Sequence, residues 1–229
     1  MEYGEIIDQL ESLADPAAVA GMAKFGITPE KAYGVSIPDL RHIARGIGKN
    51  HELAGWLWIN GSREARILAG LIDDPVQVTE EQIEGWAGEF DYWEICDQTC
   101  ANLFQKTSFA WQKAAEWSSR EDESHKRVAF VLMARLAVSD KKAPDEQFEP
   151  FLSLIKREAG DERSMVKKAL NWALRQIGKR NLSLNDRAIE TAGEILKMDS
   201  KMAKWIASDA LRELRSEAVQ NRLRKRSAL

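Results

Sequence analysis

The chain has 229 residues, 44% hydrophobic and 30% charged, with 33 basic and 36 acidic side chains and a net charge of −3. That balance fits one sizeable globular domain and excludes a disordered or collagen-like chain, and no run of about 18 apolar residues offers a membrane span. The acidic, amphipathic start MEYGEIIDQLESLAD lacks the basic and apolar regions of a secretory signal, and two cysteines make no disulfide framework, so a reducing, cytoplasmic location is expected.

Helical periodicity then runs from end to end, with proline and glycine falling between periodic segments. Ile6, Ile7, Leu10 and Leu13 line one face of a helix over 2–13. Asp15-Pro16 opens a second helix, and Ile37-Pro38-Asp39 a third that continues through Leu40, Ile43, Ala44 and Ile47. Further helices are predicted over 50–58, 62–73, 79–88, 90–105, 108–119, 124–138, 144–158, 161–179, 185–198, 200–214 and 216–226. No alternating β pattern interrupts them, so the fold class is all-α.

One theme recurs at 64–69, 125–130, 166–170 and 203–207: a basic residue followed by an alanine-rich apolar stretch. Arg127, Lys168 and Lys204 are spaced by 41 and 36 residues. Such a period is that of HEAT-like antiparallel helix pairs stacked into a superhelical solenoid with a concave surface. Residues 1–229 are therefore expected to form a single HEAT-like repeat domain, with an irregular helical bundle as the alternative.

The mild net charge hides segregation. Residues 73–123 carry a net −10, residues 124–181 a net +6 and residues 182–229 a net +3. A mildly acidic chain can thus present a basic surface, although solvated helix faces give the same pattern.

Two helices carry a second face. Over 90–105, Tyr92, Ile95, Cys96, Thr99 and Leu103 form the core stripe, while Trp93, Asp97 and Phe104 lie about 120° from its centre. Trp93 and Asp97 are four residues apart and therefore neighbours. They make a site, or else a tryptophan packed on the next repeat beside a solvated carboxylate. Over 161–179 the stripe is Val166, Ala169, Leu170, Ala173 and Ile177, with Lys168, Trp172, Arg175 and Lys179 opposite. A ring among cations suits a sugar or base beside phosphates, and equally a tryptophan shielded by lysine stems. The helix over 124–138 is apolar nearly all round and begins with Lys126 and Arg127, where the macrodipole disfavours cations. A phosphate would explain them, as would pairing with Glu121, Asp122 or Glu123.

Other motifs carry less. Cys96 and Cys100 suit core packing better than a metal, and His42, His51 and His125 show no ligand spacing. His125, beside Lys126 and Arg127, is a further candidate for a phosphate contact. Gly46-Ile47-Gly48 reads as a helix C-terminus, and the basic stretch 222–226 as a solvated end.

The run Phe90-Asp91-Tyr92-Trp93-Glu94-Ile95-Cys96-Asp97 resembles the AlkD-like DNA alkylation repair enzymes, which are HEAT-like repeat alkylpurine DNA glycosylases. So do Gly34-Val35-Ser36-Ile37-Pro38-Asp39-Leu40-Arg41, Lys126-Arg127-Val128-Ala129 and the stretch from Lys168 through Trp172 to Arg175, together covering about 20–180. The resemblance implies a solenoid that holds duplex DNA in a concave basic cleft and hydrolyses the N-glycosidic bond of cationic lesions such as 3-methyladenine and 7-methylguanine. It also implies that no base need be flipped into a pocket. Carried over by motif, Asp97 is the catalytic carboxylate, Trp93 and Trp172 flank the deoxyribose, and Arg127 grips the backbone. Lys126, Lys168, Arg175 and Lys179 join Arg127 in the expected DNA-binding set. Phe25 stands where the family often has a tyrosine, so that contact lacks a hydroxyl. No cofactor, metal or membrane is expected, the partner is duplex DNA containing alkylated bases, and the chain is expected to be a monomer.

The chemistry is self-consistent. An N-alkylated purine leaves readily because departure relieves its positive charge, so a single carboxylate beside aromatic rings suffices to stabilise the cationic sugar. Two alternatives stand beside the enzyme: a non-catalytic DNA-binding relative that reads backbone shape or branched DNA, and a HEAT-repeat scaffold for other proteins.

Overall fold

The structure, a computed structural model, describes residues 1–227. Among these residues all regular structure is helical: α1 (Tyr3–Ser12), α2 (Pro16–Met22), α3 (Ile37–Ile47), α4 (His51–Asn60), α5 (Arg63–Ile72), α6 (Glu80–Gly88), α7 (Trp93–Asn102), α8 (Ala110–Glu116), α9 (Glu123–Ser139), α10 (Glu149–Glu158), α11 (Ser164–Gly178), α12 (Leu182–Leu196), α13 (Lys201–Leu214) and α14 (Glu217–Ser227). Short 3-10 turns follow or precede several of them, at Ala23–Phe25, Phe104–Lys106, Trp117–Ser119 and Asp145–Gln147. No helix among the described residues is long and apolar enough to cross a membrane.

The starts are set by local chemistry. Ser36, Asn50, Ser62, Thr79, Asp122, Asn181 and Ser200 each accept a hydrogen bond from an amide in the first turn of the helix that follows. Asp15 accepts from the amides of Ala17 and Ala18, with Pro16 in the first turn. The segment 90–105 is shorter as a helix than its periodicity suggests. Tyr92 is extended (φ −152°, ψ 164°) and precedes the first turn, and Leu103 (φ −123°, ψ −69°) ends it. Phe104 thereby leaves the helical phase and is fully buried, a correction to its expected place away from the core stripe.

The chain divides into two compact units, Met1–Phe109 and the chain from Ala110 onward. In the first unit α5 is central and packs on α3, α4 and α7. Its core includes Leu40, Leu57, Ile67, Leu68 and Ile83. Trp58 of α4 and Trp86 of α6 stack at 4.0 Å between ring centroids.

In the second unit α9 packs on α8 and α11, and α11 on α12 and α13, while α10 packs on α12. Val128 through Ala134 of α9 are fully buried, as its all-round apolar sequence implies for a sandwiched helix. Trp111 of α8 stacks on Phe151 of α10 at 5.3 Å. Gly178 closes α11 where a Cβ would sit 2.8 Å from both Ala188 of α12 and Leu214 of α13. A hydrogen in place of a methyl lets the three helices meet there.

Candidate functional site

Trp93 is the first residue of α7, and Asp97 stands one turn on. Both are half-buried, while Tyr92, Ile95, Cys96 and Thr99 are buried. The two residues thus lie off the core stripe, as their spacing suggests. The Trp93 indole Nε1 donates to the Phe25 carbonyl oxygen at 2.8 Å, bringing α7 together with the 3-10 turn Ala23–Phe25. The Phe25 ring itself is 72% exposed.

The next residue, Glu94, belongs to a buried charge network. Arg63 of α5 donates from Nε to Glu94 Oε2 at 2.7 Å and from Nη2 to Glu94 Oε1 at 2.8 Å. Its Nη1 reaches Glu64 Oε1 at 2.8 Å and the Val35 carbonyl at 3.1 Å. Glu64 in turn accepts from the amides of Tyr33 and Gly34, each at 2.9 Å. Burial opposes the Arg63 charge, but hydrogen bonds and charge from Glu94 and Glu64 outweigh it, and the guanidinium is held above its ordinary pKa. A two-pronged Arg–carboxylate pair fixes geometry as well as charge. Glu94 follows Trp93 directly, so the network sets the first turn of α7 and holds the Gly34-Val35-Ser36 segment against α5. Gly34 has φ 86°, and a Cβ there would sit 2.2 Å from the Asp15 carbonyl oxygen. Only glycine fits.

Sequence reasoning missed Arg63, Glu64 and Glu94. A signal was present: Arg63 and Glu64 stand four residues before Ile67 and Leu68, on the same apolar stripe of α5. A charge on such a stripe points to a buried partner.

In the second unit, Lys126 and Arg127 lie in the first turns of α9, both buried. The Lys126 ammonium sits 2.7 Å from Glu158 and 3.5 Å from Asp161. Arg127 Nη1 donates to the Met165 carbonyl at 2.9 Å, joining α9 to the first turn of α11. His125 is buried, its ring edge-on to Trp117 at 5.0 Å and its Nδ1 2.7 Å from Asp122. Burial pushes the Asp122 carboxyl up, but hydrogen bonds from the His125 amide and ring outweigh it and lower its pKa.

On α11 the stripe Val166, Ala169, Leu170, Ala173 and Ile177 is buried. Lys168 is exposed, and Trp172, one turn on, is half-buried. Arg175 and Lys179 both bind Glu213 of α13, at 2.5 and 2.6 Å. Burial pushes the Glu213 carboxyl up, and the hydrogen bonds and charges of Lys179 and Arg175 more than reverse it. The four residues expected on one face are therefore divided: Lys168 and Trp172 face outward, and Arg175 and Lys179 are matched by a carboxylate. Helical phase on one element cannot show which residue of a neighbouring helix meets it.

Residues 6–214 match the profile of a family described as DNA alkylation repair enzyme, extending past both ends of the motif-bearing stretch. The chain is 25% identical over 206 residues to the uncharacterized protein Lin0241 of Listeria innocua, covering 88% of this chain and 90% of that one. It is 24% identical over 200 residues to the uncharacterized protein Lmo0209 of Listeria monocytogenes, covering 86% and 87%. Its fold is similar to a solved structure from "a new family of proteins related to the HEAT-like repeat DNA glycosylases with affinity for branched DNA structures". That likeness has a TM-score of 0.76 at 21% identity and covers 93% of this chain and 95% of the other. The fold is all-α and HEAT-like, and the chain belongs to the DNA alkylation repair enzyme family.

Proposed function

We propose that the protein is a monofunctional DNA glycosylase that hydrolyses the N-glycosidic bond of cationic alkylated purines, 3-methyladenine and 7-methylguanine, in duplex DNA. The observation that supports this most is the half-exposed pair Trp93 and Asp97 on one turn of α7, the helix whose first turn the Arg63–Glu94 pair anchors. The bond between the sugar C1′ and the purine nitrogen breaks, and its electron pair leaves with the base, which becomes neutral. The Asp97 carboxylate stabilises the resulting oxocarbenium ion and orients a water. The water oxygen bonds to C1′ and its proton passes to solvent. Trp93 and Trp172 are the proposed aromatic neighbours of the cationic sugar. Lys168 and, once its contact with the Met165 carbonyl is exchanged, Arg127 are proposed to contact backbone phosphates, with Phe25 as an apolar contact. Lys126, Arg175 and Lys179 would take part only by exchanging Glu158 or Glu213 for a phosphate. A cytoplasmic monomer without metal or cofactor completes the proposal.

The test is release of 7-methylguanine from methylated duplex DNA by the purified protein. We expect release by the wild type and a loss of about 100-fold or more in Asp97→Asn. Equal rates would remove Asp97 from the chemistry. The affinity for branched DNA ascribed to the structural neighbour favours a second function, binding of branched DNA without base excision. Tight binding with no base released from any alkylated substrate would establish it.

A further inference from the structure

The helices α11 and α13 bury matching positions. Val166, Ala169, Leu170, Ala173 and Ile177 correspond in order to Ala203, Ile206, Ala207, Ala210 and Leu214. This register pairs Lys167 with Lys204, and Lys168 with Trp205. It corrects the composition-based anchor, which set Lys204 against Lys168. The outward place that Lys168 holds on α11 is thus held on α13 by a tryptophan.

Trp205 is 44% exposed, and the core of α13 is built without it. The Lys167 ammonium lies over its ring, 4.8 Å from the centroid. The first turn of α13 holds Lys201 and Lys204 and no acidic residue. Among the described residues, the acidic partner of Lys204 is the exposed Asp199, at a long 3.8 Å. Cations in a first turn oppose the helix macrodipole, and a bound anion relieves that conflict. An exposed indole among ammonium groups meets the two requirements of single-stranded nucleic acid, a stacking face and neutralisation of phosphate. A neutral apolar partner would match the ring and leave the lysines uncompensated.

Building on the DNA-binding function proposed above, we propose that Trp205, with Lys167 and Lys204, is a stacking site for unpaired bases of DNA. One base lies on the open face of the indole, and the flanking phosphates meet the lysines. The site gives the C-terminal helices a role separate from the excision chemistry: they favour DNA in which a strand leaves the duplex.

The test measures anisotropy of fluorescein-labelled DNA, as a blunt duplex and as the same duplex with a short single-stranded extension. Trp205→Ala is expected to weaken binding of the extended substrate roughly tenfold to a hundredfold. The blunt duplex should change less than about twofold, since no base is free to stack. Trp205→Phe retains a ring and should recover most of the affinity. Lys204→Ala should lower the salt slope on the extended substrate by about 0.7 to 0.9, the share of one phosphate contact. Unchanged melting temperatures show that the variants fold. Equal losses on both substrates, or no loss on either, would overturn the proposal. If the wild type binds neither DNA even at low salt, this site and the DNA-binding function fall together. If extension-specific loss is found but no alkylated base is released, the stacking site stands and the glycosylase assignment falls.

Discussion

The Trp93 indole Nε1 donates to the Phe25 carbonyl oxygen at 2.8 Å, across 68 residues of sequence. The N–H of the ring proposed to flank the sugar is therefore held by backbone. Trp93→Phe keeps an aromatic face and removes the donor. We expect a cost of about 0.5–1.5 kcal/mol in stability. Amide exchange at Gly26 and Ile27 should quicken, because the turn they close loses its anchor. Unchanged exchange would show that the contact does not restrain the turn.

Removing one partner of the Arg63–Glu94 network has a larger effect. Glu94→Ala leaves Arg63, 5% exposed, without its two-pronged partner. A stranded buried charge costs about 3–5 kcal/mol, read as the shift in urea midpoint at constant m. A shift near zero would mean that water or Glu64 compensates fully.

Acid should weaken the second unit. Burial raises the Glu158 carboxyl, but hydrogen bonds and charge from Lys126 and Arg157 set it below its ordinary value of 4.5. Asp161 lies below its ordinary 3.8, where burial is outweighed by Arg163 and Lys126. A pKa lowered on folding gives stability that is complete above the unfolded value and is lost as pH falls through the folded one. Lys126→Met should therefore be less stable than wild type at neutral pH, with the gap closing below the ordinary carboxylate range. Urea unfolding of both proteins at neutral and acid pH measures it, and a gap independent of pH would exclude the ion pair as its source.

Two glycines should respond in opposite directions to alanine. Gly34→Ala forces a side chain into positive φ against the Asp15 carbonyl and should cost more than about 1 kcal/mol. Gly46 lies inside α3, where an added methyl would meet nothing within 4 Å. Gly46→Ala should gain about 0.4–1 kcal/mol. Thermal melts compare the two, and a loss in both would mean that α3 resists any added methyl.

The helices were legible because apolar periodicity and capping residues both mark them: Asp15-Pro16, Ser36 and Asn50 stand where chain becomes helix. The stripes of α7 and α11 were legible for the same reason, and so was the outward position of Trp93, Asp97, Lys168 and Trp172. Phe104 was not, because its burial depends on the break at Leu103, which no periodicity announces. The partners of Arg175, Lys179 and Lys126 were not, because Glu213 and Glu158 come from other helices. Trp205 falls one place out of register when lysine is aligned with lysine, whereas packing aligns buried position with buried position.

The carboxylate of Glu213, shared between Arg175 and Lys179, bears on how long the protein would stay on undamaged DNA. Each cation already matched internally releases fewer counterions when a phosphate approaches. On the proposed DNA-binding function, non-specific residence would then be brief, and the chain would leave intact stretches quickly. Lingering is reserved for places where an outward ring, rather than charge alone, finds something to hold.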